Sequence, residues 1–190
     1  MAVKTYKHSD LSNVTGHFRV SEFRCKCGGT HNMLISDELV QKLEELRSKL
    51  GCSKIVVNSG YRCSEHDRKV GGSGLGQHTT GKAADFVCFG ADGKVISSKI
   101  VTCAAQDIGF SGIANIDGTY TATHVDVAAR KWYGDETITT SASVAEDFYK
   151  YWGFSETDVY KDNSQDAKNV TLIIDGVTYE GTLSPKEAKS

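Results

Sequence analysis

Nowhere in this 190-residue chain do apolar residues run on for the ~20 positions that a helical bilayer crossing needs. The longest apolar stretches, KIVVNSGY and VTLIIDGV, have the length of single strands. The opening segment, MAVKTYKHSDLSNVTGHF, lacks the apolar centre of a secretory signal. The expectation is therefore synthesis in the cytoplasm without membrane insertion, with any action outside the cell depending on release by other means. Charge of one sign is also missing: 22 Lys and Arg face 24 Asp and Glu, for a net charge of −2. That argues against nucleic acid as a partner, which calls for a basic face. No internal repeat or low-complexity tract is present. What remains is an ordinary globular composition, long enough for one well-packed domain with a small appendage.

Six cysteines stand at positions 25, 27, 52, 63, 88 and 103. Without a secretory signal a disulfide framework is not indicated, and the plainest reading is small buried hydrophobes. The run RCKCGGTH suggests zinc through Cys25, Cys27 and His31. A C-x-C pair is tighter than the usual ligand spacing, however, and no matching second pair follows it. Free thiols, a disulfide and a metal stay open for these residues.

Along the chain, SDELVQKLEELRSKLG carries a full set of helix signals. Ser36 can cap the first turn, Asp37 and Glu38 suit its positive end, and Leu39, Leu43, Leu46 and Leu50 recur at helical spacing before Gly51. SKIVVNSGYR reads as a buried strand, SEHDRKVGG as one or two helical turns, and GGSGLGQHTTG as a flexible loop. KAADFVCFG reads as a strand, followed by a turn at ADGK and a helix over 98–108 closed by Gly109. THVDVAA alternates like another strand. After Trp132 the run GDETITTSAS reads as a linker and SVAEDFYKYWGF as an amphipathic helix. NVTLIIDGVTYEGTL reads as a hairpin about Asp175-Gly176, and SPKEAKS as a frayed tail. The expected division is a main domain over 1–134 and an appendage over 135–190. The expected class is α+β, a small antiparallel sheet with helices packed on one side.

The residues that point to chemistry are few. His78 and Asp85 lie seven positions apart in GQHTTGKAADF, at the end of the glycine-rich loop and on the strand after it. Alone, such a pair arises readily by chance among six histidines, and the bland reading of His124 in THVDV is a hydrogen-bonded strand histidine. Together the three would supply two nitrogens and a carboxylate, a donor set suited to a catalytic zinc with one open position.

The motifs SEFRCKCGG, SGYRCSEHDRKVGG, GQHTTGKAADF and THVDV, in this order, resemble the zinc D-alanyl-D-alanine carboxypeptidase family. That family includes peptidoglycan carboxypeptidases, vancomycin-resistance dipeptidases and phage L-alanyl-D-glutamate endopeptidases, and is more distantly similar to lysostaphin-type peptidases and the hedgehog zinc domain. The resemblance runs from about Phe18 to Trp132. It implies one zinc ion held by His78, Asp85 and His124, with Arg62 gripping a carboxylate of the substrate through its guanidinium fork. Ser59 and Gln77 flank these positions as substrate-binding candidates. The implied reaction is metal-assisted hydrolysis of amide bonds in peptidoglycan stem peptides by a monomer, in the manner of a phage or prophage endolysin released at lysis. One departure stands out: several members place a general-base carboxylate three residues before the last histidine ligand, where this chain has Thr121. Asp126, two residues along the strand from His124, is the nearest substitute as base, or else orients the imidazole. Asp117 and His66 are further candidates. The alternative from another class is a hedgehog-like module that keeps zinc without catalysis.

Overall fold

The helix signalled by SDELVQKLEELRSKLG forms as α1, Asp37–Lys49, in the computed structural model, which describes residues 2–140, 142–160, 168–174 and 177–183. Ser36 Oγ accepts the Leu39 amide at 3.5 Å, and Gly51 leaves the helix with φ of 60°. Leu39, Val40, Leu43 and Leu46 are buried, each contributing about 1.5–3 kcal/mol by leaving water. Before α1, strand β1 (Val3–Tyr6) pairs antiparallel with β2 (Met33–Ser36). After it come β3 (Lys54–Ser59), α2 (Ser64–Lys69), β4 (Ala83–Phe89), α3 (Ser98–Ile108), β5 (Gly112–Asn115), β6 (Ala122–Asp126) and β7 (Trp132–Asp135). The class is α+β, as expected from the sequence.

The main sheet has the order β3-β4-β6-β5-β7. Its pairs are antiparallel except the last, where β7 runs parallel to β5 with Ala114 opposite Gly134. The expected antiparallel sheet carries the candidate ligands, and β7 adds a parallel edge strand to it. Side chains alternate between the two faces. Ala84, Phe86 and Cys88 of β4, Val125 of β6 and Ile113 of β5 are buried on one face, where α3 and α1 pack. Asp85, His124 and Ala114 have the opposite parity and share the other face. That second face carries the site.

The expected division at residue 134 is also displaced. A compact unit runs to Val159, and a second unit spans Tyr160–Ser190. The polar run after Trp132 lies between two core residues, Tyr133 and Phe148, whose rings stack with centroids 4.9 Å apart. Phe148 opens α4 (Phe148–Trp152) and is wholly buried, and Trp152 donates its indole N–H to Thr102 of α3 at 3.0 Å. A short helix α5, Glu156–Val159, completes this unit. In the second unit, β8 (Lys168–Ile174) pairs antiparallel with β9 (Val177–Leu183), Ile174 opposite Val177. The expected turn residues 175–176 and tail 184–190 lie outside the described residues. Among the described residues, no helix is long and apolar enough to cross a membrane.

Candidate metal centre

His78 rides on a single 3-10 turn, Gln77–Thr80, at the end of the glycine-rich loop. Gly81 closes that turn with φ of 71°, and a Cβ there would lie 2.4 Å from the Leu34 carbonyl oxygen, so only glycine fits. His78 Nδ1 lies 2.7 Å from the carbonyl oxygen of Gly60. A carbonyl only accepts, so Nδ1 carries a proton and Nε2 is the nitrogen turned to the site. That Nε2 faces Asp85 Oδ1 at 3.2 Å.

Asp85 and His124 are direct partners across the β4–β6 ladder, which brings Asp85 Oδ1 to 2.7 Å from His124 Nδ1. The residues His78, Asp85 and His124 thus each offer a ligand atom, all within 4.8 Å of one another. Two imidazole nitrogens and a carboxylate oxygen, drawn together on one sheet face, fit zinc. Burial works to raise the Asp85 carboxyl, but the hydrogen bonds and charges of His124 and His78 overcome it and hold the group far below the usual carboxylate range. Burial works to lower His124, and its bonds to Asp126 and Asp85 reverse this, lifting the imidazole to about 9. Without a metal a proton fills the same electrostatic gap that a divalent cation would fill.

Asp126 lies at the back of the His124 ring: its Oδ2 is 3.5 Å from Nε2, while Nδ1 faces Asp85. It shares a face with His124, as the i, i+2 spacing implies. The carboxylate is sealed, however, accepting the Ala128 amide at 3.0 Å and the Arg130 guanidinium at 2.9 and 3.3 Å. It also lies over Gly112, where a Cβ would approach an oxygen to 2.0 Å. This is the geometry of a group that orients an imidazole.

Arg62 is anchored at three points. Its Nε donates to Ser59 Oγ at 2.8 Å, Nη1 to Asp67 Oδ1 at 3.4 Å, and Nη2 to Asp85 Oδ2. Among the described residues three of its five N–H groups find acceptors, which leaves two for another acceptor. Asp67 in turn accepts the Gly74 amide at 2.8 Å, which ties the glycine-rich loop to α2. Gln77 is half-buried at the start of the turn that bears His78. Thr121 gives its hydroxyl to Asp117 at 2.6 Å, so both are engaged in their own loop. His66 lines a different cavity, beside Cys63.

The sequence reading missed Glu136. The ladder registers set Asp85, His124, Ala114 and Gly134 in one row across four strands. Trp132, two residues before Gly134 in β7, therefore projects from the same face as His124, and Glu136 follows the strand at the start of a turn. The Trp132 ring lies across Gly134 and meets His124 edge-on, with centroids 6.0 Å apart. Beyond it, the Glu136 amide bonds Asn115 O at 2.9 Å, continuing the β7 ladder. Burial raises the Glu136 carboxyl above its ordinary value; His124 works to lower it, Asp85 to raise it and Arg62 to lower it, so it senses all three charges. The signal was the strand WYGD that precedes Glu136, hidden because β7 was read as the start of a linker.

No curated protein matches the chain in sequence. The family model described as Peptidase M15 matches residues 16–126, more than half of the chain and all of His78, Asp85, His124 and Arg62. With that match added to the convergence of two histidines and an aspartate, the chain belongs to the M15 peptidases, the metallopeptidase family of the zinc D-alanyl-D-alanine carboxypeptidases.

Proposed function

We propose that this M15 peptidase hydrolyses amide bonds in peptidoglycan stem peptides, as a carboxypeptidase or endopeptidase, with one zinc ion held by His78, Asp85 and His124. The observation that carries the reading is the shared vertex of these three side chains, with Arg62 beside it. When bound, zinc supplies acidified water and polarisation of the scissile carbonyl. The rest falls to the chain. Glu136, just past the end of β7 and responsive to the charges of His124, Asp85 and Arg62, accepts the proton of the attacking water and returns it to the leaving amine. Asp126 takes the other part weighed for it, holding His124 in one orientation from behind. Arg62 offers its two remaining N–H groups to a carboxylate of the stem peptide, with Ser59 fixing the fork and Gln77 bordering the turn that bears His78.

The protein acts as a monomer reaching the wall at lysis, in the manner of an endolysin. Mass spectrometry of muropeptides from digested cell walls tests the reaction. Loss of terminal D-alanine identifies a carboxypeptidase, and cut stems or cross-links an endopeptidase. Unchanged muropeptides, with the protein retained on the wall, would replace hydrolysis by the zinc-retaining binding module that Thr121 suggests.

A further inference from the structure

A second group of soft ligands lies outside the site just described. Cys25, Cys27 and Cys63 bring their sulfurs within 4.8 Å of one another, and all three thiols are free. The Cys25 and Cys63 sulfurs are 3.7 Å apart. That is too far for a bond between them and close to the ~3.8 Å edge of a tetrahedron with Zn–S of about 2.3 Å. His31 stands next to Cys27, with Nε2 3.1 Å from its Sγ, at the edge of the cysteine trio. The missing second pair of the C-x-C motif is thus supplied from within its own turn and from a residue far along the chain. We infer that Cys25, Cys27, Cys63 and His31 form a second, structural zinc site.

The backbone is arranged for thiolates. Each sulfur accepts one amide N–H: Cys27 from Gly29 at 3.3 Å, Cys25 from Cys63 at 3.3 Å, and Cys63 from His66 at 3.4 Å. Such donors are strongest towards an ionised acceptor. Three thiolates and a divalent ion leave one negative charge, and Lys26 and Lys69 line the same cavity of about 330 Å³. Four protein ligands close the coordination sphere, so the ion would have no position for substrate and no part in the reaction. Binding displaces the thiol protons to solvent and changes no oxidation state. A Cys25–Cys63 disulfide would use two of these four groups and leave Cys27 facing His31 without a role.

The placement gives the ion a task. It would clip the Cys25–His31 turn to the start of α2, one residue from Arg62. The same junction is packed tightly: the Tyr61 amide donates to Phe23 O at 2.9 Å, and a Cβ on Gly60 would lie 2.7 Å from Phe23 Cα. Gly60 is the residue whose carbonyl orients His78. The second ion would therefore hold in place the backbone that aims both Arg62 and His78.

Elemental analysis of the reduced wild-type protein, purified without chelator, is expected to give two zinc ions per chain. Blocking the thiols with a mercurial, with a colorimetric zinc indicator present, should release one of them and leave the other. Cobalt substitution should produce a sulfur-to-cobalt charge-transfer band that survives in His78→Ala and disappears in Cys27→Ser. The two sites then fail separately, since loss of the histidine-held ion leaves the thiolate band untouched. One zinc per chain with all thiols alkylated and no metal released would overturn the site. So would a purified protein with no zinc, or a Cys25–Cys63 cross-linked peptide in its unreduced digest. The mercurial titration needs no variant, so misfolding of Cys27→Ser leaves the test intact.

Discussion

Asp85 and His124 face each other across adjacent antiparallel strands, Oδ1 to Nδ1 at 2.7 Å, and each holds the other in its charged form. In metal-free protein this pair makes stability depend on pH in a definite direction. His124 rises from 6.5 to about 9 on folding, so its contribution is complete below pH 6.5 and is lost as pH climbs through about 9. Asp85 is depressed from 3.8, so its contribution is present above that value and is lost as pH falls below it. Chelator-treated protein should melt highest between about pH 4 and 6.5. By pH 9 it should lose on the order of 3 kcal/mol. Melting curves across this range check it: His124→Gln should abolish the alkaline loss, and zinc should suppress it.

Glu136 and Asp126 separate by what their loss removes. Glu136→Gln should lower turnover by about 10²–10⁴-fold with zinc content unchanged, as for loss of a proton acceptor. Asp126→Asn should instead weaken zinc binding by about 10–100-fold, because the imidazole loses its orienting partner. Zinc competition assays beside muropeptide turnover distinguish the two. Equal turnover in Glu136→Gln and wild type would remove Glu136 from the reaction.

Arg62 serves two masters, and its variants should show it. Arg62→Lys keeps the charge but cannot bond Ser59, Asp67 and Asp85 together. It should raise KM about 10-fold or more and alter kcat less, the pattern of lost ground-state binding. Arg62→Ala leaves buried Asp67 without its guanidinium partner, while Asp85 keeps His124, and should lower the stability of metal-free protein. Undiminished cleavage of peptidoglycan by Arg62→Ala would take Arg62 out of substrate binding.

Phe148 tests where the catalytic unit ends. Its ring is fully buried between Tyr133 and Trp152, so Phe148→Ala should cost about 3–5 kcal/mol and lower the melting temperature of the unit that holds the metal residues. Were 134 the true boundary, the same change would leave that melting transition where it is.

Several elements were legible because their signals are local. The cap at Ser36, the leucines of α1 and the stop at Gly51 all lie within one short stretch, and α3 spans the residues read for it, 98–108. The strands of KIVVNS and AADFVCF and the order of His78, Asp85 and His124 were visible for the same reason. Strand β7 was not visible. Its four residues join a parallel ladder whose partner lies across a connection through β6, and a parallel pair has no turn to announce it.

Spacing and residue type therefore placed donors on a turn and on two strands, since caps, alternation and glycine turns depend on near neighbours alone. Which donors meet is a matter of ladder register, a property of segments far apart in the chain. Register set His124 opposite Asp85 and brought Gly134 of β7 into the same row, while packing between distant loops carried Cys63 to Cys25 and Cys27. A shift of one residue in any of those strands would send the same side chains to the opposite face, and no local sequence pattern records which register the packed core selects.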